Sequence, residues 1–375
     1  MLYHWLHPYA ARFALANLVS YISFRAAAAT VTALIIAFLV GPGIIARLRE
    51  RKVGQIVRSE GPSTHLGKRG TPTMGGIIII IATIVPTLLW ARLDNRFVLI
   101  ALLAITWMGA IGFLDDYLKI VQRRPRGLVA RWKLAGQVMF GVVLGGILIL
   151  FPWQGTVLPP TATTLPFVKY VYVVFTFPIA YIAFVTFVVT GTSNGVNFAD
   201  GLDGLATGLS AIAAITFAVF AYVFGRTDTS EYLKVFYLPG AGELAIFCAA
   251  LMGACVGFLW FNAHPASVFM GDTGSLAIGG AIGTVAILLK AEFLLLVVGA
   301  VFAAEVLSVL IQTTVFRYRM RKHGREYAQQ HRVFRMAPIH HHFEQLGWAE
   351  SKVVTRFWIL GLLCALVALA TLKVR

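Results

Sequence analysis

Five aspartates lie beside long apolar stretches of this 375-residue chain, although a carboxylate near hydrocarbon is costly. The chain contains only seven aspartates, so most of them occupy such positions. If the five side chains met at one membrane face, their oxygens would suit a hard divalent cation, which suggests magnesium and therefore phosphate chemistry. The five are Asp115 and Asp116 in GFLDDYLK, Asp200 and Asp203 in NFADGLDGLA, and Asp272 in FMGDTGSLA.

The adjacent residues Asp115 and Asp116 can divide roles. Neighbours on a helix project about 100° apart, so the two cannot both face one ligand squarely. Two adjacent carboxylates also disfavour double ionisation. The alternative interpretation is a solvated helix end, at which Lys119, one turn later, pairs with a carboxylate.

Two short segments, 191–204 and 261–274, are rich in Gly, Asn and Asp and nearly free of basic residues. Irregular backbone at a membrane face is tolerated where it lines a cavity, so we expect binding chemistry in these loops. Phe269 could stack on a planar base. Asx-turns and helix caps are the alternative, and they account for Asp203 or Asp272 taken singly. They do not account for two Asp together with two Asn in the first loop.

Two further motifs have polar side chains suited to phosphate. Lys68 begins KRGTPTMGG, whose glycines and threonines fit phosphate or sugar contacts, although a flexible basic loop is an equal alternative. His340, His341 and His342 follow one another in PIHHHFE. On a helix three successive side chains fan over about 200°, so they cannot all bind one metal, and one or two facing a diphosphate is the better interpretation.

The composition places these motifs in a membrane protein. The chain is 58% hydrophobic and 13% charged, with a mean hydropathy of +0.79, which excludes a soluble globular domain. The apolar runs are continuous rather than alternating, so the predicted fold is all-α, with about ten transmembrane helices in one domain over 1–375. The predicted spans are 25–46, 74–91, 97–117, 133–151, 171–190, 205–224, 243–260, 275–289, 292–316 and 355–372.

The basic residues predict the orientation. The net charge is +16, and 22 of the 32 Lys and Arg lie in 47–72, 118–133 and 317–356. By the positive-inside rule these stretches are cytoplasmic, so both termini lie outside and all five aspartates inside. Nucleic-acid binding is not expected, because no soluble domain exists to present a basic patch. Three cysteines without a CxxC pair favour neither zinc nor a disulfide framework. The predicted site lies on inner segments near 47–76, 112–133, 191–204, 261–275 and 317–355.

These motifs resemble the polyprenyl-phosphate N-acetylhexosamine-1-phosphate transferases, and within that family its muramoyl-pentapeptide branch. The resemblance covers nearly the whole chain, including the ten-span plan with both ends outside. It is carried by KRGTPTMGG, GFLDDYLK, NFADGLDGLA, FNAHPASVFMGDTGSLA and PIHHHFEQLGW, and the last of these separates the branch from its relatives.

The resemblance implies a reaction at the cytoplasmic face of the bacterial inner membrane. Phospho-MurNAc-pentapeptide would pass from UDP-MurNAc-pentapeptide to undecaprenyl phosphate, with Mg²⁺, giving lipid I and UMP for peptidoglycan synthesis. A homodimer is also implied by the family.

The resemblance further implies roles for individual residues. Asp272 is expected to be the principal magnesium ligand, Asp115 and Asp116 to be catalytic or metal-assisting, and His340 to be a catalytic contact. The implied uridine pocket and its polar surround consist of Gly201, Leu202, Asp203, Asn262 and Phe269, with Lys68, Thr73, Asn194, Asn197 and Asp200, while His341 and His342 are further substrate-binding candidates.

Three alternatives differ in testable ways. A transferase moving GlcNAc-1-phosphate onto the same lipid is the nearest, and the HHHFE segment argues against it. An ion-coupled transporter would place its carboxylates at mid-span, whereas these lie at the predicted inner ends of the spans. A structural scaffold leaves the five aspartates unexplained.

Overall fold

The computed structural model describes residues 1–50, 70–122 and 127–373. This part of the chain is predominantly helical, which confirms the predicted all-α class. The helices are α1 (Leu2–Leu6), α2 (Ala14–Asn17), α3 (Ile22–Glu50), α4 (Gly76–Trp90), α5 (Arg96–Ile120), α6 (Ala130–Leu150), α7 (Pro178–Ala199), α8 (Leu205–Phe224), α9 (Thr227–Leu233), α10 (Leu244–Asn262), α11 (Gly271–Leu288), α12 (Glu292–Val298), α13 (Ala300–His323), α14 (Arg325–Gln330), α15 (Ile339–Glu344) and α16 (Glu350–Ala370).

Nine of the described helices are long and apolar enough to cross a membrane, by length and composition. They are α3, α5, α6, α7, α8, α10, α11, α13 and α16, and the shorter α4 is apolar as well. This confirms a polytopic membrane protein. The direction in which the spans cross, with both termini outside, stays a prediction.

The structure corrects the predicted ninth span, 292–316. It is two helices, α12 and α13, which meet at Gly299. The Gly299 N–H still donates to the Leu295 carbonyl, but its backbone leaves the α-helical region at φ −94°, ψ 18°. Glycine has low helix propensity because it loses the most backbone freedom, so it is a favourable place for the break.

The predicted polar loop 191–204 and the predicted fifth span 171–190 also differ from expectation. α7 continues to Ala199, so most of 191–204 is helix, because its amide side chains find partners on neighbouring helices. The first residues of the predicted span are not helical: β2 (Tyr172–Val174) pairs antiparallel with β1 (Ala162–Thr164), Thr163 lying opposite Val173, and α7 begins at Pro178.

Helix α11 lies at the centre of the bundle and positions the site. It packs against α5, α7 and α4, and nearly all of its residues are buried. α5 begins where the Asn95 side chain accepts hydrogen bonds from the Phe97 and Val98 N–H groups, which satisfies donors that a helix start leaves unpaired. Near the other end of α5, Gly112 lies against the Asp272 carbonyl, so this end of α5 lies beside the first turn of α11.

Candidate active site

The first turn of α11 is held by backbone hydrogen bonds to the segment before α4. The Phe269 N–H donates to the Pro72 carbonyl at 2.8 Å, and the Gly75 N–H donates back to the Phe269 carbonyl at 2.9 Å. The Gly76 N–H reaches the Met270 carbonyl, also at 2.9 Å. The glycine-rich motif thus fixes the position of Asp272 in the first turn of α11.

Two glycines allow the helices to approach this closely. A Cβ on Gly76 would lie 2.1 Å from the Gly274 backbone nitrogen, and a Cβ on Gly112 would lie 2.1 Å from the Asp272 carbonyl oxygen. Any side chain at either position would push α4 or α5 away from α11. Because Gly112 precedes Asp115 by about one helical turn, this contact brings Asp115 and Asp116 to Asp272.

The Asp115 and Asp272 carboxylates converge on the same ammonium group. Lys119 Nζ lies 2.7 Å from Asp115 Oδ2 and 2.8 Å from Asp272 Oδ2. Lys133 Nζ lies 3.0 Å from Asp272 Oδ2 and 3.7 Å from Asp115 Oδ2. Asp115 Oδ1 accepts from the Leu128 N–H at 2.7 Å. Two buried or nearly buried carboxylates therefore share two lysines. Lys119 pairs with Asp115 as the alternative interpretation expected, but Asp115 is buried and not at a solvated helix end.

The other side of Asp272 is held by α7. Asn197 Nδ2 donates to Asp272 Oδ1 at 2.7 Å and to Ser275 Oγ at 2.8 Å. Asp200 follows at the end of α7. Removal from water, and then the nearby Asp272 and Asp116 carboxylates, raise the pKa of Asp200 well above its usual range. Four of the five predicted aspartates thus lie together at one end of the bundle.

Asp116 acts as a cap for α11 from a different helix. Asp116 Oδ2 accepts from the Thr273 N–H at 2.9 Å and from Thr273 Oγ1 at 2.7 Å, and Oδ1 accepts from the Asp272 N–H at 3.3 Å. These are N–H groups of the first helical turn, where a carboxylate also complements the helix dipole. Both Asp116 oxygens are therefore committed to holding Asp272 in place.

We expect Asp116→Asn to lower stability by about 1–2 kcal/mol, the usual cost of a lost cap, because an amide nitrogen cannot accept from Thr273. Thermal unfolding of the purified protein in detergent measures it, and Thr273→Val, which removes only the hydroxyl bond, should show a smaller loss. Unchanged unfolding temperature together with strongly reduced turnover would contradict the capping role and assign Asp116 to the chemistry.

The donor set suits a hard divalent cation. Asp115 and Asp272 already direct oxygens at one positive charge, and carboxylate oxygens are the ligands that Mg²⁺ prefers. Asp272 would hold such an ion, with Lys119 and Lys133 giving up part of their contacts. The residues present therefore fit magnesium.

Asp203 lies in a second polar cluster. Asp203 Oδ2 is 3.1 Å from His264 Nδ1 and accepts from the Ala266 N–H at 3.1 Å. The Asp203 N–H donates to Glu350 Oε1 at 2.8 Å, and Glu350 Oε2 lies 3.6 Å from His264 Nδ1. Asp200 and Asp203 do not share a helix face, because α7 ends at Ala199 and a turn separates the two carboxylates.

The turn after Asp203 is fixed by Asn262. Asn262 Oδ1 accepts from the Gly204 N–H at 3.1 Å and from Thr207 Oγ1 at 2.9 Å, and Nδ2 donates to the Val268 carbonyl at 3.0 Å. Asn262 is buried, so its amide joins the 201–204 turn to the loop that carries Phe269. Asn262 was predicted to belong to the uridine pocket. In the structure its amide holds the turn and the loop together.

The three histidines take three different environments on α15. His340 is fully buried beside Glu305, with Nδ1 3.1 Å from Oε2. His341 Nδ1 lies 2.7 Å from Glu344 Oε2, and His342 Nδ1 accepts from the Arg335 N–H at 3.1 Å. The fan predicted for successive helical residues is therefore observed, and the catalytic contact predicted for His340 stays a prediction.

The remaining predicted residues surround this region. Thr73 is buried near Gly271, Leu202 is buried in the turn, and Phe269 is half-buried in the loop before α11. Asn194 Nδ2 donates to Gln137 Oε1 at 2.9 Å and so joins α7 to α6. Lys68 lies outside the described residues.

Sequence reasoning missed several members of these clusters. Lys133 was counted only as one of many basic residues, and Glu305 and Glu350 were not singled out. A signal existed for Glu305, because an acidic residue inside an apolar span is costly and marks a site that needs a partner. Nothing local distinguishes Lys133 or Glu350 from ordinary charges at helix ends.

Comparison with known proteins identifies the family. Residues 98–290 match the model of glycosyl transferase family 4, and residues 68–80 match the phospho-N-acetylmuramoyl-pentapeptide-transferase signature 1. Three similar proteins each bear the name phospho-N-acetylmuramoyl-pentapeptide-transferase. The one from Gemmatimonas aurantiaca is 62% identical over 382 residues and the one from Geobacter sp. (strain M21) 48% over 375, each covering 100% of both chains. That from Chloroherpeton thalassium is 49% identical over 359 residues, 96% of this chain and 95% of its own. The chain therefore belongs to glycosyl transferase family 4 and, within it, to the phospho-N-acetylmuramoyl-pentapeptide-transferases.

Proposed function

We propose that this protein transfers phospho-MurNAc-pentapeptide from UDP-MurNAc-pentapeptide to undecaprenyl phosphate, forming lipid I and UMP. The observation that carries the proposal is the convergence of Asp115 and Asp272 on the ammonium of Lys119 at the ends of two apolar helices. A site rich in both carboxylates and lysines suits a metal-bound diphosphate beside an acceptor phosphate. The similarity to full-length relatives of that name supports the choice of substrate.

We propose that Mg²⁺ binds at Asp272. When bound, it supplies positive charge to the diphosphate of the nucleotide substrate. Lys119 and Lys133 then bind phosphate oxygens with the contacts they release, so the charge of the bound phosphates is neutralised from two sides. Asn197 keeps Asp272 oriented through its 2.7 Å hydrogen bond.

We propose a single displacement with Asp115 as the base. An oxygen of the lipid phosphate forms a bond to the phosphorus that carries the sugar, the bond from that phosphorus to the UMP oxygen breaks, and UMP departs. Any proton on the lipid phosphate passes to Asp115. A phosphate monoester has a second pKa of about 6, so only a well-positioned weak base is needed. Asp116 is the poorer candidate because both its oxygens accept from the α11 backbone, whereas Asp115 Oδ2 faces a lysine side chain that can turn to the bound phosphates.

The same proposal sets the protein in the bacterial inner membrane, with the site at the cytoplasmic face. There the water-soluble nucleotide arrives from the cytoplasm, and the polyprenyl tail stays between spans. The basic stretches 118–133 and 317–356 support that orientation through the positive-inside rule. A homodimer is part of the proposal by family membership alone.

The direct test is incubation of the purified protein with both substrates, with and without magnesium, while UMP release and lipid-linked product are followed. We expect both products only when the lipid and the divalent cation are present. Product formation from UDP-GlcNAc in place of the muramoyl substrate would overturn the substrate assignment.

We place the uridine against Phe269 and the turn 201–203. Phe269→Ala should raise the apparent KM for the nucleotide about tenfold or more, since stacking on an aromatic ring is worth about 1–3 kcal/mol per base. Asp203→Ala should act in the same direction, because it also releases His264 and Ala266. Steady-state kinetics at saturating lipid measure the effect, and the KM for the lipid should change little. An unchanged nucleotide KM in both variants would place the base elsewhere.

A further inference from the structure

His340 and Glu305 form a pair that is closed off from solvent. Both side chains are 0% exposed, and His340 Nδ1 lies 3.1 Å from Glu305 Oε2. No well-aligned hydrogen bond reaches the polar atoms of either side chain within the described chain. Burying an unpaired carboxylate or imidazole is expensive, so each side chain depends on the other. The pair ties α15 to α13.

The opposite edge of the imidazole presses on the turn after α7. A Cβ on Gly201 would lie 2.3 Å from His340 Nε2, so the ring sits directly against the Gly201 Cα. The His341 ring lies beside it, 4.1 Å between centroids. No space remains between Nε2 and the turn for a substrate atom. His340 is thus wedged between Glu305 and Gly201.

The turn is held from its far end by other groups. The Asp203 N–H donates to Glu350 at 2.8 Å, and the Gly204 N–H donates to Asn262 at 3.1 Å. These bonds fix the turn after Leu202, whereas His340 supports it at Gly201. The position of the Asp203 carboxylate therefore depends on support at both ends.

We infer that Glu305 and His340 are positioning residues, which hold the turn Gly201–Asp203 in the shape that receives the uridine of the nucleotide substrate. This inference rests on the proposed function for the identity of that ligand. Glu305 holds one edge of the imidazole, and the other edge supports the turn. His340 then acts through the turn and not on the reacting phosphates.

A positioning pair and a catalytic histidine change the kinetics differently. If the turn loosens, the nucleotide binds less well in the ground state and in the transition state alike, so KM rises while kcat is retained. If His340 touched the reacting groups, its loss would lower kcat instead.

Glu305→Gln and His340→Asn are the variants for this test, with Glu326→Gln and His323→Asn as matched controls on exposed positions of α14 and α13. We expect a rise in nucleotide KM of about tenfold, the factor that about 1.4 kcal/mol of weaker binding produces, with kcat within about threefold. Glu305→Asp should recover part of the loss. A fall in kcat of a hundredfold with an unchanged KM would overturn the inference.

Hydrogen exchange of the Gly201–Asp203 amides, measured without any substrate, gives an independent readout. Faster exchange in Glu305→Gln than in Glu326→Gln supports the positioning pair, and equal exchange overturns it. If Glu305→Gln does not fold, Gly201→Ala is the second variant. Its added methyl group must push the turn away from His340, so it should also raise the nucleotide KM. Wild-type protein that released no UMP would overturn the proposed function, whereas the exchange measurement would still decide the role of the pair.

Discussion

Asp272→Asn should reduce turnover by about a thousandfold at limiting magnesium. Asp272 Oδ2 contacts both lysines and Oδ1 accepts from Asn197, so the substitution removes a charge that three neighbouring groups use. Losing one anionic ligand of a magnesium site costs several kcal/mol of charge stabilisation, and each 1.36 kcal/mol is a tenfold change in rate. Titration of activity against magnesium concentration measures the effect, and the half-saturating concentration should rise as well.

The matched control is Asp228→Asn. Asp228 is exposed and pairs only locally with Arg226 in the described chain, so its loss should leave turnover unchanged. Both variants must unfold at similar temperatures for the comparison to hold. Near-normal turnover of Asp272→Asn at limiting magnesium would show that the metal is held elsewhere.

Asp115→Asn should lower kcat by about 10²–10⁴-fold, the range that a general base supplies, while the nucleotide still binds. The carboxylate faces Lys119 and Lys133 at the centre of the cluster, whereas Asp116 faces the α11 backbone. Binding of the nucleotide by calorimetry and turnover at saturating substrates separate the two effects. Equal loss of kcat in Asp115→Asn and Asp116→Asn, without loss of stability in the latter, would argue against this division of roles.

The single displacement has its own decisive measurement. Protein stripped of all polyprenyl phosphate should release no UMP from the nucleotide substrate, because no acceptor is present to form the new bond. A stoichiometric burst of UMP under those conditions would require a phosphosugar bound to the enzyme and would refute the one-step mechanism. Exchange of labelled UMP back into the substrate in lipid-free protein gives the same answer.

Much of the architecture follows from the sequence alone, because the hydrocarbon of the membrane restricts the structures that a spanning segment can adopt. Every backbone group inside a membrane must be satisfied internally, so continuous apolar runs of about 20 residues can only be helices. The predicted spans therefore fall close to the observed helices at most ends, for example 205–224 and α8. The exceptions are 292–316, where Gly299 interrupts the helix without lowering the hydropathy of the run, and 171–190, where the helix is Pro178–Ala199.

The aspartates as a group could also be singled out from the sequence, since acidic residues beside apolar runs are conspicuous. Their individual roles could not be predicted from the sequence. Adjacent carboxylates look alike along the chain, yet Asp115 binds lysines while Asp116 caps a helix 155 residues further on, at Gly271. That distinction depends on the close approach of α5 to α11 at Gly112, which is a property of packing and not of local pattern.

Sequence by itself determined the class of protein, the helical spans and the short list of chemically capable residues, because hydrophobicity and residue type are local properties. Only the tertiary structure decided which of those residues meet. It placed Asp203 beside His264, added Lys133 to the pair Asp115 and Asp272, and paired Glu305 with His340 across 35 positions of chain. The packing directions of the helices decide which side chains meet. Because hydrogen bonds act only over about 3 Å, spacing along the chain does not predict these partners.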